Sequence, residues 1–478
     1  MSRSRENHTV QRTHSETRRP PGTRDDRPKV GQRLTVEIND IALGGEAIAR
    51  DRQYVLFVAG AIPGERVEIE VTSTGRRYGR GRLVRVIHPA PSRVPARCRH
   101  FGECGGCAWQ HIDYADQLRL KERLLRSTLE HNLPGVHLPI RPMIGQADPW
   151  GTRNKVHFLV GLDRGRAALG HFRAHSREFI AVTECPVHSA AGNRVARTML
   201  HLLNQHEVAP FDESARSGAV RHVLVRSGGN SDECQAVLVA ANRKLRDLAR
   251  LGNELIAACP NVAGVHISVN SAPGTVVLGS HTEKIAGRDR LVEEIAGVRF
   301  AVSPATFFQT SSVGAARLVE TVLRVVPVTT SGPILDLYAG VGLFAAPLAR
   351  RGHRVTAVEE NPQAVADGIE TLRSNGVSGC RFQSGKVETV IKKLARGAPF
   401  DVVILDPPRE GCPDWVLGMI TRQIRPQRVI DVSCDPTALA RDLAALTRAR
   451  YRAIEIQPID MFPHTPHIES VAVLDRLS

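Results

Sequence analysis

Three short strings carry residues that could do covalent chemistry. Cys434 stands in Ser433-Cys434-Asp435-Pro436, at the end of the apolar run RVIDVSC. Asp406 stands in Val403-Ile-Leu-Asp-Pro-Pro-Arg-Glu-Gly411, at the end of another apolar run. Glu469 follows Asp460-Met-Phe-Pro-His-Thr-Pro-His467 and precedes the apolar SVAVL. Residues at the carboxyl tips of such runs face the ligand edge of an open α/β sheet. The helical pattern TALARDLAAL follows Cys434 directly, and a helix N-terminus favours the thiolate. A thiolate near carboxylates suits one problem well. Carbon 5 of uracil is a poor nucleophile. A thiolate adding to carbon 6 makes carbon 5 an enolate that can take a methyl group from a sulfonium. A base must then remove the hydrogen from carbon 5 so that the thiol can leave.

A cofactor site is written nearby. Ile334-Leu-Asp-Leu-Tyr-Ala-Gly-Val-Gly-Leu-Phe344 reads as a strand entering G-x-G and then a helix. The next strand ends at Glu359, where a carboxylate can accept hydrogen bonds from ribose hydroxyls. The third glycine of the dinucleotide fingerprint is missing, which favours S-adenosylmethionine over a pyrophosphate-bearing cofactor. Asp-Pro-Pro also resembles the string of amino-methyltransferases acting on adenine or guanine. Those continue with an aromatic that stacks on the base, whereas this chain has Arg409, and that chemistry has no use for Cys434.

Cys98, Cys104 and Cys107 fall within ten residues as C-x5-C-x2-C, with Gly105 and Gly106 inside the run, and Cys185 lies further on in Thr-Glu-Cys-Pro-Val. Four thiolates could hold zinc or a [4Fe–4S] cluster. The spacing and the Cys-Pro favour iron–sulfur and leave zinc open. Cys234, Cys259, Cys380 and Cys412 show no grouping and are expected in core or surface positions.

The elements that must position these groups run along 478 residues, with 64 Lys plus Arg against 49 Asp plus Glu and a net charge of +15. That length implies several domains, and that charge implies a polyanionic partner such as nucleic acid. No apolar run approaches a membrane span, and the N-terminus has no secretory h-region. Nine scattered cysteines exclude a disulfide scaffold and imply a reducing, cytoplasmic location. Residues 1–30 carry eight Arg/Lys against four Asp/Glu with almost nothing apolar, and read as a disordered basic arm. Residues 31–90 alternate short β-rich runs with glycine turns, a small OB-like barrel of about five strands. There Arg76, Arg77, Arg80, Arg82 and Arg85 surround Tyr78, a combination suited to gripping RNA. Residues 91–300 read as a central α+β domain carrying the cysteines, with a helix over YADQLRLKERLLRSTLEHN. Residues 301–478 alternate β and α with near-continuous apolar strands, the pattern of a doubly wound parallel sheet.

Taken together, these strings resemble the RNA uridine-5-C-methyltransferases over residues 31–478, and within them the 23S rRNA branch with a TRAM barrel and a [4Fe–4S] cluster. The resemblance implies a Rossmann-like S-adenosylmethionine-dependent methyltransferase domain. It further implies Cys434 as nucleophile, Glu469 as base, and Cys98, Cys104, Cys107 and Cys185 as cluster ligands. Gln309, Tyr338, Glu359 and Asp406 are then the pocket for S-adenosylmethionine. The chain departs from the family at Leu343, Ser311, Lys386 and Ala339, all of them near the expected cofactor contacts. The substrate expected is 23S rRNA, with tRNA or a non-catalytic RNA-binding role as alternatives, and the expected state is a monomer.

Overall fold

The computed structural model describes residues 27–242, 245, 247–272, 277–327, 332–397 and 399–477. The expected basic arm lies outside these up to residue 26.

The first compact unit is a closed five-stranded barrel in the order β1-β2-β3-β5-β4. Its strands are β1 (Arg33–Ile41), β2 (Ala47–Asp51), β3 (Tyr54–Ala59), β4 (Arg66–Thr74) and β5 (Tyr78–His88). Period-two alternation turns Val36, Ile38, Leu56, Val58, Val67 and Ile69 inward. Gly81 on β5 packs closely, since a Cβ there would sit 2.8 Å from Ile69 Cδ1 and push that side chain aside. Tyr78 is exposed on β5, as are Arg76 and Arg77 just before it, but three of its arginine neighbours are paired with acids. Arg80 pairs with Glu46 at 3.1 Å, Arg82 with Glu70 at 2.7 Å and Arg85 with Glu68 at 2.6 Å. Glu70 and Glu68 lie on the facing strand β4 and Glu46 just before β2, which single-strand reading does not reveal.

The second unit holds two seven-stranded sheets. It begins with α1 (Tyr114–Asn132), capped by the Asp113 side chain. Leu120, Leu124, Leu125 and Leu129 recur at helical spacing and are buried, each contributing about 1.5–3 kcal/mol of apolar burial. The first sheet is built from β6 (Lys155–Asp163), β7 (Arg166–Phe172), β8 (Phe179–Ala181), β9 (Val220–Ser227), β10 (Cys234–Ala240), β11 (Val262–Val269) and β12 (Thr282–Gly287). Their order is β12-β11-β10-β9-β6-β7-β8. Two helices, α2 (Ala190–Gln205) and α3 (Leu248–Ala258), bury Met199, Leu203 and Leu255 against Phe158, Val223 and Val225. A hairpin, β13 (Leu291–Ile295) and β14 (Val298–Val302), and α4 (Ser312–Val325) follow.

The second sheet comprises β15 (Ile334–Leu337), β16 (Val355–Glu359), β17 (Cys380–Ser384), β18 (Val402–Leu405), β19 (Arg428–Ser433), β20 (Tyr451–Ile459) and β21 (Glu469–Arg476). Its helices are α5 (Ala345–Arg350), α6 (Pro362–Ser374), α7 (Val387–Leu394), α8 (Asp414–Met419) and α9 (Pro436–Arg448). The order is β17-β16-β15-β18-β19-β21-β20, with β15 to β19 parallel and β21 antiparallel to both neighbours. β15, β18 and most of β19 are buried throughout, as their unbroken apolar runs require. The order reverses between β15 and β18, and ligands bind outside the carboxyl ends of strands at such a switch point. Residues 139–144 extend the sheet beyond β20, with Arg141 N donating to Ile456 O at 2.8 Å and Ile144 N to Pro458 O at 3.0 Å. Residues well before the first sheet are thus built onto the edge of the second.

Candidate active site and cysteine cluster

A cavity of about 730 Å³ opens at the switch point. The β15 tip supplies Tyr338 to Val341, the β16 tip Glu359, and the β18 tip Asp406 to Arg409. The end of β19 supplies Cys434 and the start of β21 supplies Glu469. Gln309, from the loop before α4, completes the set. All six residues expected from sequence at the cofactor and reaction centre therefore line one cavity.

The loop after β15 is conformationally demanding. Tyr338 adopts φ +63 and Gly342 φ +83, the first rare for a bulky side chain. The Tyr338 hydroxyl donates to Glu388 Oε1 at 3.2 Å. Gly340 N donates to Glu359 Oε2 at 2.9 Å, and Asn361 N to Glu359 Oε1 at 2.8 Å. The Glu359 carboxylate is thus fixed at the β16 tip, with lone pairs left over for a ligand. Among the departures, Ala339, Leu343 and Lys386 line the cavity. Ser311 does not; it caps α4 by accepting from Gly314 N at 3.1 Å.

Burial dominates the electrostatics of the site. Burial pushes Asp406 up to about 7. Burial, reinforced by the Asp406 charge and opposed by Arg409, holds Glu469 well above the usual carboxylate range. Cys434 lies just before α9, as expected, but its thiol is pushed up to about 11 by burial and then by Glu469, with Arg409 opposing. The expectation of a helix-lowered thiol is corrected here: half-burial beside two carboxylates outweighs the helix end. Iodoacetamide alkylation of Cys434 in the free protein should therefore rise about tenfold per pH unit from pH 7 to 10, as thiolate fraction does. A plateau near the ordinary thiol value of about 8.5, read by peptide mapping, would contradict this.

Sequence reading missed several lining residues. Phe307 is 65% exposed at the rim. Phe462 and His467 sit in the string quoted for Glu469, and Arg409 shows in sequence only as an absent aromatic. Glu388 carried no sequence signal, because its role depends on Tyr338 across the fold.

A second cavity, of about 240 Å³, is lined by Cys98, Cys104, Cys107 and Cys185 together with His100, His157, His171 and His188. Gly106 N donates to Cys104 Sγ at 3.4 Å. Asn193 holds the Cys185 backbone through bonds of 3.2 and 2.9 Å. Burial raises the Cys104 and Cys107 thiols and pushes Cys185 up to about 12. Burial also keeps His171, at about 4, and His188 neutral. Ligand atoms of His171, Cys185 and His188 lie within 4.8 Å of one another. Cys234, Cys259 and Cys412 are buried elsewhere and Cys380 is half-buried.

The sheet order, the G-x-G loop and the acidic β16 tip define a Rossmann-type methyltransferase that uses S-adenosylmethionine. Residues 285–477 match the family model for tRNA (Uracil-5-)-methyltransferase, and residues 27–84 match the TRAM domain. An uncharacterized RNA methyltransferase of Gloeobacter violaceus is 34% identical over 448 residues, 93% of this chain and 97% of that protein. One from Halalkalibacterium halodurans is 34% identical over 443 residues, 92% of this chain and 96% of its own length. Pyrococcus abyssi tRNA (uracil-54, C5)-methyltransferase, solved with S-adenosyl-L-homocysteine, aligns with a TM-score of 0.74 at 26% identity, covering 92% of this chain and all of that one. The chain belongs to the RNA (uracil-5-)-methyltransferase family and carries a TRAM barrel. No helix among the described residues is long and apolar enough to cross a membrane.

Proposed function

We propose that this chain methylates carbon 5 of a uridine in 23S rRNA through a covalent adduct between Cys434 and carbon 6. The observation that carries the reading is that Cys434, Glu469, Asp406 and Gln309 line one cavity, although the sequence separates them by up to 160 residues, from Gln309 to Glu469. Gln309, Tyr338, Glu359 and Asp406 would hold S-adenosylmethionine. When bound, that cofactor supplies the methyl group on a sulfonium whose positive charge favours an ionised Cys434. The Cys434 thiol loses its proton to solvent, the thiolate adds to carbon 6, and the electron pair moves to make carbon 5 nucleophilic. After methylation, Glu469 in its ionised form takes the carbon 5 proton, the carbon 6–sulfur bond breaks and the thiolate leaves. Arg409, which counters the buildup of negative charge at Cys434 and Glu469, steadies both anionic stages. The target uridine must leave its stack to reach the cavity, so a loop or remodelled helix is the expected site.

The four cysteines are proposed to hold a [4Fe–4S] cluster. The four line one cavity, and the raised thiols of Cys104, Cys107 and Cys185 gain by ionising onto a cation. Protein purified without oxygen should carry about four irons and four sulfides per chain, and Cys185→Ser should lose them. One zinc per chain instead would replace the assignment. The barrel is proposed as an RNA grip, in a cytoplasmic monomer.

A tRNA substrate is the second reading, favoured by the likeness to the Pyrococcus abyssi tRNA (uracil-54, C5)-methyltransferase. Mass-spectrometric mapping of 5-methyluridine in cells with and without the gene tests both. Loss at a 23S position is expected. Loss in tRNA keeps the chemistry and moves the substrate, while no loss in either RNA, with no redundant enzyme, favours a non-catalytic RNA-binding role.

A further inference from the structure

Residues 460–468 connect β20 to β21, place Phe462 and His467 on the cavity wall, and deliver Glu469 as the first residue of β21. This loop is held from outside the cavity by a buried polar network. The Asp460 carboxylate accepts from Lys121 Nζ at 2.6 Å, from the Tyr114 hydroxyl at 2.9 Å and from Phe462 N at 3.0 Å. Lys121 also donates to Phe462 O at 3.0 Å, and the side chains of Lys121 and Asp460 are both 0% exposed. Gln117, one turn earlier on α1, accepts from His464 N at 2.8 Å. Its amide nitrogen donates to Ile112 O at 2.9 Å and lies 3.2 Å from His464 Nδ1. His464 O accepts from Ala108 N and Trp109 N, both at 3.0 Å, and the His464 ring stacks on Trp150 at 3.8 Å. His464 is kept at φ +64, a conformation that persists only where its surroundings over-determine it.

Burying a Lys–Asp pair without solvent is a poor way to gain stability, because desolvation offsets most of the attraction. Its geometry is nevertheless tightly specified, with each partner satisfied by the loop backbone as well. Tyr114, Gln117 and Lys121 do not line the cofactor cavity, so they cannot act by contact there. We propose that these three residues of α1 are positioning residues that set Glu469 for removal of the carbon 5 proton. The proposal rests on the reading of Cys434 as nucleophile and Glu469 as base.

The step-specific signature follows from the chemistry. With 5-fluorouridine in place of uridine, carbon 5 carries fluorine and methyl after transfer and has no proton to lose, so the adduct accumulates whatever the base does. With uridine, the adduct accumulates only when proton removal is slow. The test compares Gln117→Met and Tyr114→Phe with wild type on 23S rRNA and tRNA transcribed with either nucleotide. Tyr114→Phe keeps the ring and the Lys121–Asp460 pair, so it remains informative should Gln117→Met fail to fold. Expected are adduct formation on fluorouridine RNA within about twofold of wild type, turnover on uridine RNA reduced about tenfold or more, and adduct on uridine RNA rising from trace to a major fraction. Loss of adduct formation on fluorouridine RNA in step with turnover would make α1 a general fold element and overturn the proposal. So would unchanged turnover in both variants. Absence of any adduct from wild type would overturn the underlying reading, and the proposal with it.

Discussion

Cys434→Ala is expected to remove 5-methyluridine formation by four orders of magnitude or more, the scale on which a covalent nucleophile is missed. The loss should be confined to chemistry. Cys434 is half-buried at the end of β19, and its thiol, pushed up to about 11, is neutral at pH 7. Replacing it with alanine therefore removes one sulfur and no charge, which costs about 1 kcal/mol or less of stability. Affinity for S-adenosylmethionine should stay within a few-fold, since Tyr338, Glu359 and Gln309 are untouched. Radiolabelled methyl incorporation and cofactor titration on the same preparation separate the two effects. Appreciable turnover in the variant would remove Cys434 from the mechanism. Loss of cofactor affinity in parallel would show that it shapes the cavity rather than reacting in it.

Much of this site was legible in the chain because the residues sit at strand tips. A run such as Val403-Ile-Leu-Asp406 or Arg428 to Cys434 announces a buried parallel strand by its continuity, and its last residue must then face the ligand edge. Hence Asp406, Glu359 and Cys434 can be assigned to one edge from sequence alone. The three clustered cysteines were equally plain, and Cys185 joined them in one cavity. What stayed hidden has a common physical origin: it depends on neighbours brought in from far along the chain. The thiol of Cys434 is governed by Glu469 and Arg409 across the cavity, not by the adjoining helix. The arginines of β5 meet acids on β4 and just before β2. Lys121 looks like a solvated helix charge in sequence and is wholly enclosed, because Asp460 arrives from 339 residues away.

Glu469→Gln should give the opposite phenotype to Cys434→Ala. Addition and methylation need no base at carbon 5, so the variant should still join RNA, and the adduct should persist because the proton cannot leave. Turnover is expected to fall about 10²- to 10⁴-fold, the usual worth of a general base, while a shifted RNA–protein band appears on a denaturing gel. A second consequence comes from burial. The Glu469 carboxyl is held well above its ordinary value chiefly by desolvation. In the unfolded chain it ionises near 4.3, so the folded protein prefers the protonated form. That preference is fully satisfied below pH 4 and turns into a growing penalty as pH rises toward the folded value. Glutamine mimics the protonated acid at every pH. The variant should therefore gain in Tm relative to wild type as pH rises from 5 to 8, with little difference at pH 4. A base must be ready to ionise although it is buried, so stability is sacrificed where the proton is to be taken. Normal turnover without a shifted band would dismiss Glu469 from the role, whereas a Tm difference independent of pH would mean that its carboxyl is not held protonated by burial.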